Sequence, residues 1–223
     1  MFEILYEDGD IVVVNKPSGM IVHPAPGRKE KALTDGLVRR YPEMGSVGSA
    51  ERPGVVHRLD VETSGVMVFA RNQRSYLALR REFESHRSVG KTYLAVVHGR
   101  PEKPSGTLET QIGKRSGKKK MRVTESGGHN AITHWRTLSR QGPVSLVEFR
   151  IETGRTHQIR VHAAFLGCPI VGDRLYGDAA KDAKLRRRPA RLLLHAVELA
   201  FSHPADGRRV SFMAEVPPEI VYV

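Results

Sequence analysis

Short apolar runs and strict alternation dominate the pattern of hydrophobic and polar positions, and they predict more strands than helices. Phe2–Tyr6 and Ile11–Asn15 flank the turn-forming residues Glu7–Asp10, which predicts a β-hairpin. The further strands predicted from the pattern are Val55–Val56, Val66–Ala70, Thr92–Val97, Thr107–Ile112, Ala131–Leu138, Val144–Glu152, Arg191–Phe201 and Val210–Val216.

Helical periodicity predicts three helices, over Ala32–Tyr41, Gln73–His86 and Thr156–Leu166. Thr156 is the expected cap of the third helix, and Gly167 is its expected end. Because loops rather than regular helical crossovers join most strands, the pattern predicts an α+β fold with a mixed, mainly antiparallel sheet. The sequence contains no internal repeat and no linker, so we expect residues 1–223 to form a single domain.

Composition places the chain among ordinary globular proteins. Its 223 residues are 39% hydrophobic and 27% charged, and one cysteine, Cys168, excludes an internal disulfide and any four-cysteine metal site. The acidic N-terminus does not resemble a signal peptide, and the apolar run Ile11–Val14 is far shorter than the ~20 residues of a membrane span. We therefore expect a cytoplasmic protein.

The charge is high and uneven. The formal net charge is +12, yet residues 1–50 carry six Lys or Arg against seven Asp or Glu, so the excess lies entirely in the remainder. A basic region of this size indicates a polyanionic partner, with nucleic acid favoured over the alternative of a basic protein that has no special partner.

The polar segment His57–Gly65 lies between two valine-rich runs and is the strongest candidate for chemistry. Asp60 is its natural nucleophile or base, and the neighbouring Arg58 could bind phosphate. A salt-bridged turn is an equally weighted alternative on composition alone.

Two more segments offer chemistry-bearing side chains. In Gly154–His162, His157 and Arg160 share a predicted helix face, whereas His157 and His162 are five residues apart and do not match a two-histidine metal motif. In Lys91–Ala95, Tyr93 could stack on a base if its strand faces a cleft. Ordinary hydrogen-bonded histidines and a half-buried core tyrosine are the alternatives.

A basic loop, Lys114–Arg122, carries six cations and no acid in nine residues. Such a loop suits contacts along a phosphate backbone, although it could equally be a solvated surface. Phosphate-binding loops, dinucleotide fingerprints, serine-hydrolase elbows and zinc-protease motifs are absent from the sequence, which disfavours those enzyme classes.

Taken in order, these segments resemble the motifs of the RluA-type family of RNA pseudouridine synthases. His57–Gly65 resembles the family signature, Lys91–Ala95 its tyrosine motif and Thr153–His162 its arginine motif. The remaining matching segments are Asn15–Gly19, Val22–Pro24, Arg52–Val56, Pro169–Asp173, Tyr176–Gly177 and Leu194–Ala196. The order and specificity of these motifs argue against coincidence.

The resemblance implies the pseudouridine synthase fold, in which a mixed, mainly antiparallel central sheet with flanking helices forms a catalytic cleft. It also implies an isomerase that breaks the N1–C1′ bond of a uridine in RNA, turns the base over and joins C5 to C1′. Since an isomerisation needs neither a redox partner nor an energy source, we expect no cofactor and no metal.

By position, the resemblance implies that Asp60 is the essential catalytic aspartate, that Tyr93 stacks on the target base and that Arg160 pairs with the aspartate. It further implies that Arg58 holds the RNA with its uridine flipped out and that Leu194 helps close the pocket. The other expected substrate-binding residues are His57, Thr63, Lys114, Arg115, Lys118, Lys119 and Lys120.

The expected partner is RNA, either 23S-type ribosomal RNA or transfer RNA, with no membrane and no obligatory protein partner. Many members of the family carry an N-terminal S4 RNA-binding domain, and we expect none here because the first strand begins at Phe2. The initial step could be an acylal or Michael adduct, or it could follow a glycal route.

Two rival functions make different demands on the sequence. A catalytically inactive RNA-binding module would not need Asp60, Tyr93 and Arg160 together. A metal-dependent RNA-processing enzyme would use histidines such as His57, His157, His162 and His195, but their spacing and the lack of a carboxylate-rich cluster disfavour it.

Overall fold

The computed structural model describes residues 2–24, 31–85, 88–114 and 120–221. The chain divides into two compact units. The first unit comprises Met1–Gly90 and Ala196–Glu215, and the second comprises Lys91–His195 and Val216–Val223. The expectation of a single catalytic domain without an S4 domain stays a prediction.

Strands outnumber helices in the described chain. The strands are β1 (Glu3–Glu7), β2 (Ile11–Lys16), β3 (Gly48–Ser49), β4 (Arg52–Pro53), β5 (Ser64–Ala70), β6 (Gly90–His98), β7 (Ser105–Lys114), β8 (Met121–Thr124), β9 (His129–Gln141), β10 (Val144–Ile151), β11 (Leu194–Ser202) and β12 (Arg209–Met213). The α-helices are α1 (Leu33–Arg40), α2 (Gln73–Ser85), α3 (Gln158–Phe165), α4 (Ala179–Ala183) and α5 (Pro218–Val221), and Pro42–Ser46 forms a 3-10 helix.

In the first unit the strands lie in the order β1-β2-β5-β11, and β12 pairs with β11. The β1·β2, β2·β5 and β11·β12 pairs are antiparallel. Strand β5 is buried along its whole length, and Ile11–Val14 of β2 has no exposed surface, as expected for central strands. Helix α2 buries Leu79 and Phe83 of its predicted apolar residues, whereas the third, Leu77, is 46% exposed.

In the second unit the strands lie in the order β6-β10-β9-β7-β8, and every one of these pairs is antiparallel. One core cluster gathers around Val96, Val144 and Leu193. A second cluster joins Ile112 and Ala131 of the sheet to helix α3. The predicted α+β class with a mainly antiparallel sheet is therefore confirmed.

The predicted strand at Val55–Val56 is wrong, because only Val55 forms a bridge, to Phe69. Gly54 has a left-handed backbone (φ +67°), and a Cβ there would lie 2.4 Å from the carbonyl oxygen of Ala70. The chain thus turns at Gly54 as it approaches β5, and regular pairing cannot continue.

The predicted cap of the third helix is also wrong. Helix α3 begins at Gln158, and the residue before it is His157, which has a left-handed backbone (φ 58°) and gives no side-chain cap. Thr156 is exposed and lies one residue before that position. Gly167 follows the helix, as predicted.

Other differences are additions to the predicted elements. Strand β8 begins at Met121, in the last two residues of the segment predicted to be a basic loop, and the short elements β3, β4, α4 and α5 were not predicted. The predicted end of the second helix, His86, lies outside the described residues, as does most of the basic loop.

Candidate active site

In the first unit, the signature loop (His57–Thr63) leads into β5 and carries the predicted catalytic carboxylate. Leu59 and Thr63 are buried and anchor the loop, whereas Asp60 is half-buried and Arg58 is exposed. The N–H of Thr63 donates to the carbonyl oxygen of Asp60 at 3.2 Å and closes a turn. The loop therefore fixes the backbone of the aspartate while leaving the nearby guanidinium at the surface.

The opening motif (Asn15–Gly19) supports this loop, because the side chain of Lys16 donates hydrogen bonds to main-chain carbonyl groups on both sides. The fully buried Lys16 donates from Nζ to the carbonyl oxygens of Pro17 (2.9 Å), Met20 (2.9 Å) and Val61 (3.0 Å). The Val61 carbonyl also accepts from the N–H of Gly19 at 2.8 Å. One ammonium group thus joins two loops next to Asp60 through three main-chain carbonyl groups.

Two further contacts involve Ser18 of the opening motif and Gly65, the last residue of the signature. Ser18 Oγ donates to the carbonyl oxygen of Glu62 at 2.6 Å, beside the Lys16 contact. At the end of the signature, a Cβ at Gly65 (φ +122°) would lie 2.2 Å from the carbonyl oxygen of Ala196. Only glycine allows this approach between β5 and β11, so the glycine of the signature has a structural cause.

His57 takes part in the framework of the first unit. Its Nε2 accepts a hydrogen bond from the N–H of Val68 at 3.1 Å, which requires an unprotonated Nε2. Its ring stacks on Phe83, with centroids 4.7 Å apart. The predicted contacts of His57 and Thr63 with substrate stay predictions.

In the second unit, Tyr93 lies on β6 opposite Phe149 of β10 and is 8% exposed. Lys91 lies two residues earlier, on the same strand face, and is nearly as buried. Burial, assisted by the positive charge of Arg155, lowers the pKa of Lys91 to about 8. The tyrosine face therefore carries a lysine that loses its proton far more readily than an exposed one.

A buried polar network fixes helix α3, which carries the predicted catalytic arginine. Gln158 Nε2 donates to Thr133 Oγ1 (2.9 Å), and His162 Nδ1 contacts the same hydroxyl (2.8 Å). Gln158 Oε1 accepts from Thr153 Oγ1 at 2.8 Å, and His162 Nε2 contacts Thr110 Oγ1 at 2.9 Å. Burial lowers the pKa of His162 to about 4, so it is a neutral structural histidine.

Arg160 projects from this helix into an ion pair with Asp173. Its Nε and Nη2 each lie 2.8 Å from a carboxylate oxygen, and both residues are 4% exposed. Burial tends to raise the pKa of Asp173, but the hydrogen bonds and charge of Arg160 outweigh it and hold that pKa below its usual value. The N–H groups of Leu175 and Tyr176 also donate to Asp173.

Tyr176 connects this ion pair to the basic loop. The guanidinium of Arg160 lies 5.3 Å from the ring centroid, and the ammonium of Lys120 lies 5.1 Å from it. The hydroxyl accepts from the N–H of Met121 and contacts His157 Nδ1, each at 2.9 Å. One aromatic ring therefore contacts the arginine helix and the first residues of β8.

The remaining predicted substrate-binding residues lie in several environments. Leu194 is 3% exposed at the start of β11. Lys114 is exposed at the end of β7, and Lys120 is half-buried, whereas Arg115, Lys118 and Lys119 lie outside the described residues. Asp60 belongs to the first unit, whereas Tyr93, Arg160 and Leu194 belong to the second. The pairing of Arg160 with Asp60 stays a prediction.

Sequence reasoning missed the roles of Lys16, Asp173 and Tyr176, although each lay in a segment that the family resemblance includes. The sequence gives no sign that Lys16 is buried, because its three acceptors are main-chain atoms. The residues around Asp173, namely Gly172, Tyr176 and Gly177, indicate a turn. Nothing in the sequence indicates that Arg160 is the partner of Asp173.

The residues in the described ranges bear on metal ligation and on membrane insertion. No group of three or more His, Cys, Asp or Glu residues there is arranged to hold a metal ion. None of the helices in those ranges combines the length and hydropathy of a bilayer-spanning segment.

Comparison with known proteins gives consistent matches. A family model described as RNA pseudouridylate synthase matches residues 10–165. An uncharacterized RNA pseudouridine synthase of Mycobacterium bovis is 44% identical over 220 residues, which cover 97% of this chain and 70% of that protein. The ribosomal large subunit pseudouridine synthase D of Zymomonas mobilis is 38% identical over 224 residues, covering 98% and 70%.

A solved structure also matches. The human RNA pseudouridylate synthase domain containing 4 is similar with a TM-score of 0.77 and 30% identity, over 99% of this chain and 90% of that one. The chain spans 60–70% of the length of the curated bacterial relatives it matches.

Proposed function

This chain belongs to the RNA pseudouridylate synthase family, and from that membership we propose that it isomerises specific uridines of ribosomal or transfer RNA to pseudouridine. Members of this family are isomerases that convert uridine to pseudouridine in RNA. The resemblance to the RluA-type enzymes expected from the sequence is confirmed at the level of the family.

The observation that carries the proposal is the signature loop. Asp60 is half-buried on a backbone fixed by the Thr63 turn and by the Lys16 contacts to Val61. Arg58, two residues earlier, is exposed. A carboxylate held in place beside a surface guanidinium suits a reaction in which RNA is gripped by phosphate while a carboxylate acts on the nucleoside.

The proposed reaction is a rearrangement without net gain or loss of atoms. The N1–C1′ bond breaks, the base turns over, and C5 joins C1′; C5 then loses a proton and N1 gains one. In this proposal Asp60 supplies the essential carboxylate, Tyr93 stacks on the base, and Arg160 has the role of the arginine partner. Arg58 holds the RNA after the uridine leaves its stack.

Relatives named as ribosomal large subunit pseudouridine synthases favour ribosomal over transfer RNA as the substrate. Action on ribosomal RNA would place the protein in the cytoplasm. The proposal also treats residues 1–223 as one catalytic domain. In it, Leu194 helps close the pocket over the target uracil, and the basic loop contacts the RNA backbone.

The proposal is tested by chemical mapping of pseudouridine in total RNA from cells that contain the protein, lack it, or carry Asp60→Asn. We expect defined sites to disappear without the protein and to stay unmodified with the variant. In vitro, turnover should fall at least about 10³-fold, as for other essential catalytic side chains. The matched control is Asp206→Asn, since Asp206 is an exposed turn residue.

Two outcomes would contradict the proposal. Identical maps with and without the protein would favour an inactive RNA-binding module. Loss of turnover in excess EDTA would favour a metal-dependent enzyme, because the proposed isomerisation should be indifferent to chelation.

A further inference from the structure

The first unit contains a pocket outside the signature loop. Its volume is about 460 Å³, within the range of sites for small molecules. It is open to solvent, with Gly45 and Ala50 exposed at its rim. Its other lining residues are Pro24, Thr34, Asp35, Val38, Arg39 and Pro53.

Thr34 supplies a buried polar group on the wall of this pocket. It is 1% exposed, and its hydroxyl has no hydrogen-bond partner within the part of the chain that the structure describes. Buried hydroxyls are normally bonded, so one that lines a cavity without a partner indicates a ligand that would supply it.

The backbone at the start of α1 does not offer an anion site to this pocket. The N–H of Leu33 donates to Ile21, and the N–H of Thr34 donates to Val22. Asp35 is exposed and accepts from the N–H of Ala32 at 2.9 Å. With these N–H groups already used, the interior suits an uncharged, partly apolar group rather than a phosphate.

The surroundings of the pocket are basic. Arg39, Arg52 and Arg58 are exposed, and none of them forms an ion pair with any residue in the described ranges. Burial and the positive charges of Arg52 and Arg58 lower the pKa of His23, which places both arginines near that ring. His23 and Arg52 each precede a proline of the pocket wall, so Arg39 and Arg52 lie at the pocket and Arg58 lies near it.

We propose that this pocket receives the base of an unpaired nucleotide that neighbours the reactive uridine, with the adjoining phosphates on Arg52 and Arg58. The faces of the base contact Pro24, Val38 and Pro53, and the Thr34 hydroxyl bonds to a polar edge. This inference rests on the proposed function and assigns it a second nucleotide subsite.

The position of Arg58 is compatible with this path. It belongs to the signature loop two residues before Asp60, and its exposed guanidinium is available to an RNA strand that brings a uridine to Asp60. An aromatic base needs apolar walls and a hydrogen-bonding group, whereas its phosphate needs exposed cations. The pocket and its surroundings provide both in that arrangement.

Two variants test the subsite. Thr34→Val removes the hydroxyl at nearly constant shape, and Ala50→Leu places a larger side chain at the rim. The probe is fluorescein-labelled hexauridylate at fixed salt. We expect Thr34→Val to bind about 3–10-fold more weakly, the effect of removing one hydrogen bond, and Ala50→Leu to bind at least as weakly. Arg81→Gln, an exposed cation on α2, is the control and should bind normally.

Thermal unfolding separates this role from a structural one. A hydroxyl without a partner contributes nothing to folding, so Thr34→Val should keep or raise the melting temperature. A lower melting temperature would show that the hydroxyl serves the fold and would overturn its assignment to a ligand. Since Ala50 is exposed, its variant tests the pocket even if Thr34→Val fails to fold.

The proposed function and the subsite can fail separately. If the wild type forms pseudouridine in cellular RNA while both variants bind and turn over normally, the subsite is wrong and the function stands. If the wild type forms none, the function is wrong, and hexauridylate binding by the two variants still decides whether the pocket holds a base.

Discussion

The signature loop and helix α3 each carry one of the two principal charged candidate residues, and they are held in different ways. The loop depends on main-chain carbonyl groups that converge on one cation, Lys16. The helix depends on neutral side chains, chiefly Gln158 and His162, that bond to the neighbouring strand β9. A loop forms few internal hydrogen bonds and needs external donors, whereas a helix satisfies most of its own backbone and needs only to be oriented.

This difference extends to the functional side chains. Asp60 is half-buried on a fixed backbone, whereas Arg160 is almost fully buried and its guanidinium is bound by Asp173 on two sides. Changes around the loop should therefore affect chemistry at Asp60 through its backbone. Changes around the helix should affect stability first, because they leave a charge buried without its partner.

The largest effect on stability is expected from Asp173→Asn. The variant removes the charge from the carboxylate that binds the buried guanidinium of Arg160 at two nitrogens, which should lower the free energy of unfolding by about 3–5 kcal/mol. Chemical denaturation measures the loss. Glu84→Gln is the control, because its ion pair with Arg80 is exposed on both sides and should contribute less than about 1 kcal/mol. Equal losses in the two variants would contradict the buried pair as the main support of Arg160.

Lys16→Met tests the loop in the same way. Three half-buried carbonyl groups lose a charged donor, so we expect about 2–3 kcal/mol of destabilisation. Because Val61 adjoins Asp60, turnover at saturating RNA should fall while RNA affinity stays close to that of wild type. Lys31→Met, at an exposed lysine, is the control. A variant with normal turnover but weak RNA binding would place Lys16 in substrate binding rather than in positioning.

Local patterns predicted elements well wherever contacts are local. The hairpin of β1 and β2 followed from alternation and a turn, and the burial of Leu79 and Phe83 on α2 followed from its period. Met121 and Val123 also alternate with polar residues, as in a strand. The many cations before them nevertheless led to the prediction of a loop where β8 begins.

Long-range contacts explain what the sequence could not predict. Thr156 has the chemistry of a cap, yet the helix begins after His157, whose ring packs against Tyr176 some 19 positions away. Asp173 and Arg160 are separated by 13 positions, and only the tertiary fold brings them together. The candidate carboxylate was identified by family resemblance, but its support by Lys16 depends on the path of two loops.

A pH titration of stability should separate the helix from the loop. The buried His162 has a pKa of about 4, below its ordinary value of 6.5, so between these values the unfolded chain binds a proton that the folded chain does not. Stability is therefore lost as pH falls through this window, by about 2 kcal/mol at pH 5 relative to pH 8. His162→Gln should abolish that part of the slope. If wild type and variant have equal slopes between pH 8 and pH 5, His162 is not the buried neutral group described above.

The smallest effect on the fold is expected from the basic loop, whose role lies in RNA affinity. Replacing Lys114, Arg115, Lys118 and Lys119 by glutamine should weaken RNA binding and leave turnover at saturating RNA nearly unchanged. The slope of log affinity against log salt should fall by about 0.7 for each phosphate group that the variant no longer neutralises. Unchanged affinity and slope would direct the search for the RNA path to a second, shorter basic cluster, the consecutive exposed residues Arg186, Arg187 and Arg188.

Lys120 must be replaced separately from the other loop cations, because its ammonium lies over the Tyr176 ring that also contacts Arg160. A cation over an aromatic ring at a partly exposed site contributes about 0.5–1 kcal/mol, so Lys120→Gln should cause a small loss of stability in addition to its loss of affinity. Lys114→Gln is the control, since Lys114 is exposed at the end of β7. Unfolding midpoints of the two variants measure the difference. If they coincide, the contact with Tyr176 contributes nothing to folding, and Lys120 serves RNA binding in the same way as the other loop cations.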